Sequence, residues 1–459
     1  MSNLREKQKT PAQNPIPIGA ELCDRSPETH RSLVVQRTVR SCILTFACWF
    51  WWALGTVNMP ASLLAEATEL RSHQDRSLDY PVTVVDPNPF LRPGTAMGQE
   101  GNFKVENRSL GTVPAERMRL PVPGSTWRLD GRVGRTKDGI IYAGFGTYLY
   151  RSEDDGKNWN GVLIEGLPDT RPGRVAAIAF GASGKHILLA HRASALAPTG
   201  RYENKNPAES REDLNIYPLV ISRSANGGRT WERSAVLPVP PGFRGLAGDG
   251  NSIVELGDGS LLAALDGIAE AAQGAEVFLR SRDQGQTWKN VSLMSEAAET
   301  GLMSLGGLRV LAAIRGIPNA RLGGKTIELA NSEDGGHTWS TRRPLTRTFG
   351  QAHGDLAQLP GVGVVAVYEN RYPYRDGGEV QARISWDNGI TWTSELYILS
   401  KGHGYGGSVA SNDGVTVITV LGDGELDSRG SPTGRGYTLQ AVRWKPWRPP
   451  GSRTLPESR

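Results

Sequence analysis

One eight-residue motif occurs five times in this 459-residue chain, and it constrains the fold more than any other feature. In its fullest form it reads Ser-x-Asp-x-Gly-x-Thr-Trp. Asp or Asn can accept hydrogen bonds from backbone amides two residues on, Gly supplies a positive φ, and Ser and Thr cap strand ends, so the motif is typical of a hairpin turn. We expect the Trp to pack beneath the turn as an apolar plug. The copies are SEDDGKNW from Ser152, SANGGRTW from Ser224, SRDQGQTW from Ser281, SEDGGHTW from Ser332 and SWDNGITW from Ser385.

Short apolar runs separated by turn residues fill the intervals between the copies, which are 72, 57, 51 and 53 residues long. A period of about 50 residues with several short strands is typical of one blade of a β-propeller. Five units carry the motif, and a sixth without it extends from about Gly402 to Trp444. The chain is therefore predicted to be an all-β protein, a six-bladed β-propeller with five motif turns. The clearest predicted strands are Val175–Phe180, His186–His191, Ser252–Leu256, Ser260–Ala264, Leu308–Ile314, Val364–Tyr368, Val415–Val420 and Tyr437–Trp444.

Composition excludes several other classes of protein. The 56 glycines and 29 prolines favour many short strands joined by turns over a helical protein. The formal net charge of +5 is mild, and no basic stripe with interleaved aromatic residues is present, which argues against nucleic-acid binding. The three cysteines all precede residue 49, so a disulfide or a thiolate metal site in the main body is excluded.

The N-terminal region has the layout of an export segment. Residues 42–57 are almost wholly apolar and follow Arg37 and Arg40, and the small-residue sequence Ala65-Glu66-Ala67 could be read by a signal peptidase. An uncleaved membrane anchor is the rival interpretation, although the apolar run is slightly short of the roughly 20 residues of a spanning helix; a buried helix is a third. We expect an exported protein, whether periplasmic, secreted or membrane-anchored. The predicted divisions are an export signal or anchor over 1–67, an irregular lead-in over 68–114, the propeller over 115–446 and a flexible tail over 447–459.

The five motifs resemble the Asp-box, or BNR repeat, of the sialidase (neuraminidase) superfamily. Asp-boxes also occur in non-enzymes such as sorting receptors, so they specify architecture rather than activity. The segment ETGLMSLGGLRVLAAIR, from Glu299 to Arg315, resembles bacterial sialidases more specifically: a Glu precedes one strand, an Arg ends the next, and an Asp-box follows. The resemblance implies that Glu299 activates a tyrosine nucleophile and that Arg315 binds the substrate carboxylate.

Two later segments extend the resemblance. GHGYGGSVASNDG places Tyr405 where sialidases have their nucleophile, and a phenol deprotonated by a nearby Glu approaches an anomeric carbon beside a carboxylate with less repulsion than a carboxylate would. Arg371, after VVAVYEN, fits a second carboxylate-binding arginine, with Arg375 and Arg383 as competing candidates. His353 and Asp355 lie where channel-facing residues are expected, although His353 could equally be a structural histidine.

The first repeat departs from the family pattern. Arg128 has the spacing of the remaining carboxylate-binding arginine, but Leu129 and Asp130 follow it instead of Ile and Pro, and Arg119 and Arg132 are competing candidates. The segment 144–151 contains no carboxylate, so the family's acid/base aspartate has no clear counterpart. Asp130 is a candidate acid by proximity alone, and Asp138 lies in a turn.

Together these features predict an exo-glycosidase of the sialidase type that removes terminal sialic acid, or a related acidic sugar, with retention of configuration. Tyr405 and Glu299 would be catalytic, and Arg128, Arg315 and Arg371 would bind the sugar carboxylate through bidentate hydrogen bonds. No cofactor or metal is required, and the expected partners are sialylated or other acidic glycans. Two rival functions remain open: a non-catalytic propeller that binds glycan or protein, and another glycan-active hydrolase on the same fold.

Overall fold

The computed structural model describes residues 70–87, 108–122, 131–145, 147–171, 177–201, 215–248, 251–269, 274–316, 326–346, 351–370, 378–402, 404–424, 438–448 and 450. The chain divides into two units, Met1–Glu66 and Ala67–Arg459, and every described residue lies in the second. The expected export segment over 1–67 lies outside the described residues. No helix in the described ranges has both the length and the apolar character needed to cross a membrane.

The all-β prediction is confirmed, and the strands have a propeller-like arrangement. The only described helix is one 3-10 turn, Arg76–Leu78. Four strands precede the repeats: β1 (Leu70–Arg71), β2 (Val82–Asp86), β3 (Arg108–Val113) and β4 (Ala115–Leu120). The lead-in segment therefore contains strands in its described part.

The remaining described strands fall into six consecutive groups. Group one is β5 (Gly131–Arg135), β6 (Ile141–Phe145), β7 (Tyr148–Ser152) and β8 (Asn160–Leu163). Group two is β9 (Ala177–Ser183), β10 (His186–Arg192), β13 (Leu219–Ser224) and β14 (Glu232–Val236), with a ribbon of β11 (Gly200–Arg201) and β12 (Asn215–Ile216) inserted. Group three is β15 (Phe243–Ala247), β16 (Asn251–Glu255), β17 (Leu261–Ala269), β18 (Ala275–Ser281) and β19 (Lys289–Ser295).

The last three groups follow the same plan. Group four is β20 (Ala297–Ser304), β21 (Val310–Gly316), β22 (Ile327–Ser332) and β23 (Arg343–Pro344). Group five is β24 (Gln351–Leu359), β25 (Gly363–Asn370), β26 (Glu379–Ser385) and β27 (Leu396–Ser400). Group six is β28 (Gly406–Ala410), β29 (Val417–Asp423) and β30 (Thr438–Trp444).

Strands that precede the repeats complete or extend three of the sheets. β4 pairs antiparallel with β30, from Leu120 opposite Leu439 to Ala115 opposite Trp444, so the fourth strand of group six comes from before the repeats. β2 pairs with β27 and β3 with β2, which extends group five, while β1 pairs with β8 of group one. A two-residue parallel pairing of β9 with β16 joins groups two and three into one sheet.

The first strand of each group positions the site, except in group three, where the second strand, β16, takes this place. β5, β9, β16, β20, β24 and β28 are neighbours in a closed cycle, so residues far apart in sequence meet where these strands converge. Apolar side chains from adjacent groups pack between the sheets: Ile384 and Tyr397 of group five, for example, share one cluster with Val417 and Trp444 of group six. Burying a side chain of this size contributes roughly 1.5–3 kcal/mol, so the packed sheets hold the cycle together.

The motif copies form turns with one shared hydrogen-bond pattern, illustrated by the copy at Ser332. The Ser332 hydroxyl donates to Asp334 Oδ1 (2.8 Å) and accepts the Gly336 amide (2.8 Å). Asp334 accepts the Thr338 amide (2.9 Å) and hydroxyl (2.6 Å), so the carboxylate reaches four residues on rather than the two expected, because the serine hydroxyl takes the nearer amide. Gly336 has φ +88°, as the motif predicts. Partial burial alone would raise the pKa of Asp334, but the hydrogen bonds from Thr338 outweigh it and lower the pKa to about 2, so this carboxylate serves the turn.

Candidate active site

Tyr405 and Glu299 meet although they are 106 residues apart. Tyr405 directly precedes β28, and Glu299 lies in β20, with β24 between these two strands in the cycle. The Tyr405 Oη donates to Glu299 Oε1 at 3.0 Å. Each residue is only 6% exposed, so the hydrogen bond is screened from bulk water. A phenol in contact with a carboxylate is the arrangement needed for base-assisted attack by tyrosine.

Arg315 completes a cluster of three side chains. It lies in β21, directly opposite Ala298 of β20, and is 9% exposed. Its Nη1 contacts Glu299 Oε1 and lies 3.4 Å from Tyr405 Oη. Charge-assisted hydrogen bonds of this kind are stronger than neutral ones, so the guanidinium holds the Glu299 carboxylate against the phenol.

A β-bulge aims Glu299 into this cluster. The pairing of β20 with β21 shifts register between Ala298 and Gly301, and Glu299 within the shift has φ +47°. Bulges bend a strand and re-aim a side chain, and positive φ is uncommon for residues other than glycine. Gly301, at the end of the bulge, lets β24 approach closely, since a Cβ there would lie 2.2 Å from the Gly354 carbonyl oxygen of group five.

His353 lies against the ring of Tyr405. It occupies a second bulge, between Ala352 and Asp355 of β24, and has φ +53°. The two ring centroids are 4.1 Å apart with an interplanar angle of 19°, and His353 is fully buried. The histidine therefore packs on the face of the candidate nucleophile and fixes the plane of the phenol.

Arg132 and Asp355 form a buried ion pair beside the cluster. Arg132 Nη1 lies 2.6 Å from Asp355 Oδ1 and donates to the Gly354 carbonyl oxygen at 2.8 Å. Asp355 Oδ2 accepts the Ser408 amide at 2.7 Å. The pair thus ties β5, β24 and β28 together. Arg132 is 1% exposed and engaged in these contacts, so the geometry favours a structural role for it over a place in the substrate clamp.

Three more residues considered for the clamp or the acid lie away from the cluster. Arg383 of β26 donates to Tyr368 Oη (3.2 Å) and to the carbonyl oxygens of Thr393 and Ser394, inside group five. Arg119 forms an ion pair with Asp75 outside the cluster, and Asp138 is exposed in a turn. Four predicted residues lie outside the described part of the chain, so the clamp and the acid stay predictions there: Arg128, Asp130, Arg371 and Arg375.

A polar network behind Glu299 was not predicted from the sequence. The Glu299 amide donates to Asp266 Oδ1 (2.9 Å), and the Asn251 side-chain amide donates to Asp266 Oδ1 (3.2 Å) and to Glu276 Oε1 (2.9 Å). Asp266 of β17 stands directly opposite Glu276 of β18. Complete burial, and then the charge of Asp266, raise the pKa of Glu276 well above its usual range. The sequence feature that could have indicated this network is the single carboxylate inside each of two apolar strands, LLAALDGIA and AEVFLRS.

The cluster is separate from the cavity of about 790 Å³ that lies between groups four and five. That cavity is lined by residues such as Arg309, Arg343 and Ile390, and includes neither Tyr405 nor Glu299. Within the described ranges, no three His, Cys, Asp or Glu side chains are grouped so that they could hold a metal ion.

Residues 217–418 match the family model described as BNR repeat-like domain. A search of curated proteins found no match.

Among solved structures, a Hadza microbial sialidase, Hz136, is 15% identical with a TM-score of 0.49, over 82% of this chain and 92% of the other. A protein of unknown function from Dyadobacter fermentans is 16% identical with a TM-score of 0.48, over 72% and 98%. Trypanosoma rangeli sialidase is 14% identical with a TM-score of 0.46, over 78% and 59%. Such identities and TM-scores do not carry an activity from one protein to another. Residues 217–418, with their Asp-box turns, are therefore similar to the BNR-repeat (sialidase) superfamily.

Proposed function

We propose that this protein is an exo-glycosidase of the sialidase type, which hydrolyses a terminal sialic acid or a related acidic sugar from a glycan with retention of configuration. The observation that carries the proposal is the 3.0 Å contact between Tyr405 Oη and Glu299 Oε1, with Arg315 against both. Three buried side chains from two groups of strands meet here, which a salt bridge placed only for stability would not need.

The chemistry follows from this contact. In the first step Glu299 takes the phenolic proton while Tyr405 Oη bonds to the anomeric carbon, and the bond to the aglycone oxygen breaks as an acid protonates it. In the second step the conjugate base of that acid takes a proton from water as the water oxygen bonds to the anomeric carbon, the bond to Tyr405 breaks, and Glu299 returns its proton to the phenolate. Two displacements at one carbon restore its configuration, so the first-formed product has the same anomeric configuration as the substrate.

Arg315 has a second part in the proposal. A guanidinium next to the nucleophile can pair with the carboxylate that an acidic sugar carries on its anomeric carbon, by bidentate hydrogen bonds. In the proposal Arg128 and Arg371 complete the clamp, and Asp130 is the candidate acid. An acidic sugar is thereby favoured over a neutral one, because only an acidic sugar offers a carboxylate for these bidentate hydrogen bonds.

We propose in addition that the six groups of strands are the blades of one propeller with five Asp-boxes. The antiparallel pairing within each group and the closed cycle of six strands, one from each group, support this number. Export directed by residues 1–67 remains part of the proposal on the sequence alone.

The first test is release of a fluorescent aglycone from an α-sialoside by the purified protein, with Tyr405→Phe as the variant and Tyr148→Phe as the matched control. Tyr148 lies in β7 of group one, and its substitution should leave the rate unchanged. Tyr405→Phe removes the attacking oxygen and should lower the rate by at least about 100-fold. Proton NMR of the first-formed sugar should show the α-anomer.

Equal rates in Tyr405→Phe and wild type would refute the proposed nucleophile. If the folded wild-type protein released no aglycone from any of a panel of α-sialosides and uronides, a glycan-binding propeller without catalysis would become the better account. Activity on neutral glycosides alone would instead indicate another hydrolase on the same fold.

A further inference from the structure

Glu299 holds a backbone conformation that its own chemistry disfavours. For a residue with a Cβ, φ near +50° is strained and persists only where the surroundings fix it. The conformation is what turns the side chain out of the ladder of β20 and toward Tyr405. Something outside β20 must therefore hold the Glu299 peptide in place.

Asp266 is the group in contact with that peptide. Its Oδ1 accepts the Glu299 amide at 2.9 Å, across from group three to group four. The bulge removes this amide from the regular pairing of β20 with β21, and the carboxylate replaces the lost carbonyl partner. An ionised acceptor also gives a stronger hydrogen bond to an amide than a neutral carbonyl does.

Asp266 is in turn fixed by two neighbours. Asn251 of β16 donates to Asp266 Oδ1 at 3.2 Å and to Glu276 Oε1 at 2.9 Å, so it bridges the two carboxyl groups. Asn251 and Glu276 are fully buried. Rotation of the Asp266 carboxylate would take an acceptor from the buried Asn251 amide, and a buried donor without an acceptor is unfavourable.

We infer that Asp266, held by Asn251 and Glu276, is a positioning residue that locks Glu299 in its left-handed conformation and so sets the contact between Glu299 and Tyr405. Asp266 acts through the backbone of Glu299 and does not touch the reacting atoms. This inference deepens the proposed function and rests on it for its kinetic readout, but not for its structural readout.

The protonation of the pair fits this arrangement. Burial, and then the neighbouring charge of Asp266, raise the pKa of Glu276 well above its usual range, which favours the protonated form of Glu276 beside Asp266. Two ionised carboxylates in register on adjacent strands would repel each other. Protonation of Glu276 relieves this repulsion beside Asp266, whose Oδ1 accepts the Glu299 amide.

The test compares Asp266→Ala with Asp266→Asn in the full-length protein. Asparagine keeps an oxygen at the acceptor position and alanine does not. The matched control is Asp258→Ala, which removes a carboxylate that binds Arg280 in the same group but has no contact with Glu299. The two readouts are steady-state kinetics on the α-sialoside and hydrogen exchange of the Glu299 amide, followed by NMR in protein labelled with ¹⁵N-glutamate.

For Asp266→Ala we expect kcat to fall about 100-fold with KM changed less than threefold, because a misplaced base slows the reaction step more than it weakens binding. Exchange of the Glu299 amide should accelerate at least about tenfold, as expected for an amide that loses its acceptor. Asp266→Asn should stay within about threefold of wild type in both readouts, and Asp258→Ala should match wild type.

An Asp266→Ala variant with unchanged kcat and unchanged amide exchange would overturn the inference, and so would a rise in KM alone, which would make Asp266 a binding residue. Were Asp266→Ala not to fold, Asp266→Glu would displace the carboxylate by one methylene, and wild-type exchange of the Glu299 amide there would equally overturn it. If the wild type shows no sialidase activity, the proposed function fails, while amide exchange still decides whether Asp266 positions Glu299.

Discussion

The ion pair between Arg132 and Asp355 yields a prediction whose magnitude follows from its burial. The side chains are 2% and 7% exposed, and Nη1 and Oδ1 are 2.6 Å apart. Removing one partner of a buried pair leaves an uncompensated charge and costs about 3–5 kcal/mol, whereas removing both charges costs much less. Arg132→Met and Asp355→Asn should therefore each lower the free energy of unfolding by about 3–5 kcal/mol.

The double variant distinguishes this explanation from simple loss of packing. Asn at 355 can still accept the Ser408 amide, and Met at 132 fills much of the space of the arginine stem. The double variant should therefore lose less than the sum of the two single losses by at least about 2 kcal/mol. Urea unfolding at pH 7, followed by tryptophan fluorescence, gives the four free energies if each transition is single and shares one slope.

The same variants test where Arg132 acts. Since its guanidinium is engaged with Asp355 and Gly354, folded Arg132→Met should keep the wild-type KM for an acidic glycoside within about twofold. If each single variant lost less than about 1 kcal/mol of unfolding free energy and the two losses simply added, the argument from the buried pair would be refuted. A KM increased tenfold or more would indicate that Arg132 binds the substrate carboxylate.

Two further predictions concern the site and the turns. Glu299→Gln keeps the size of the side chain but cannot take the phenolic proton, so kcat/KM should fall by about 10²–10⁴, measured on the α-sialoside; a fall of less than fivefold would argue against a base at this position. Asp334→Asn removes a carboxylate whose pKa, lowered to about 2 by hydrogen bonds that outweigh its burial, lies below the unfolded value of about 4. That carboxylate stabilises the fold above about pH 4, and its contribution is lost as pH falls toward 2. After allowance for its exposure, the variant should lose about 1 kcal/mol at pH 7 and show a flatter decline between pH 4 and 2, measured by urea unfolding. Asn226, which accepts the Thr230 amide at 2.9 Å in the second copy, indicates that Asn will keep the turn, and an unchanged acid profile would contradict the prediction.

Local features of the fold could be predicted from the sequence because local chemistry determines them. The motif specifies its own turn through side-chain to backbone hydrogen bonds within eight residues, and the alternation of apolar and turn residues located strands such as β10 and β25 to within a few residues. The resemblance also named Glu299, Arg315 and Tyr405, which the structure brings into contact.

Non-local features could not be predicted in the same way. The fourth strand of group six, Ala115–Leu120, pairs with residues more than 300 positions later, and no periodicity in the sequence predicts that partner. The network behind Glu299 is also non-local, since Asp266 and Asn251 act on a neighbouring group of strands. Glu299 needs this network because its φ is positive, and the residue type does not indicate that backbone conformation.

The most direct test of the central claim is covalent trapping of the nucleophile. A 3-fluorosialosyl fluoride transfers its sugar to the nucleophile of a retaining enzyme and releases fluoride. The sugar then leaves the nucleophile slowly, because the fluorine at C3 disfavours the positive charge of both transition states. Peptide mass spectrometry after brief incubation should place one sugar on the peptide that contains Tyr405, and Tyr405→Phe should remain unlabelled. A sugar attached to a different residue, or an active wild-type enzyme that shows no adduct, would contradict the assignment of Tyr405 as the nucleophile.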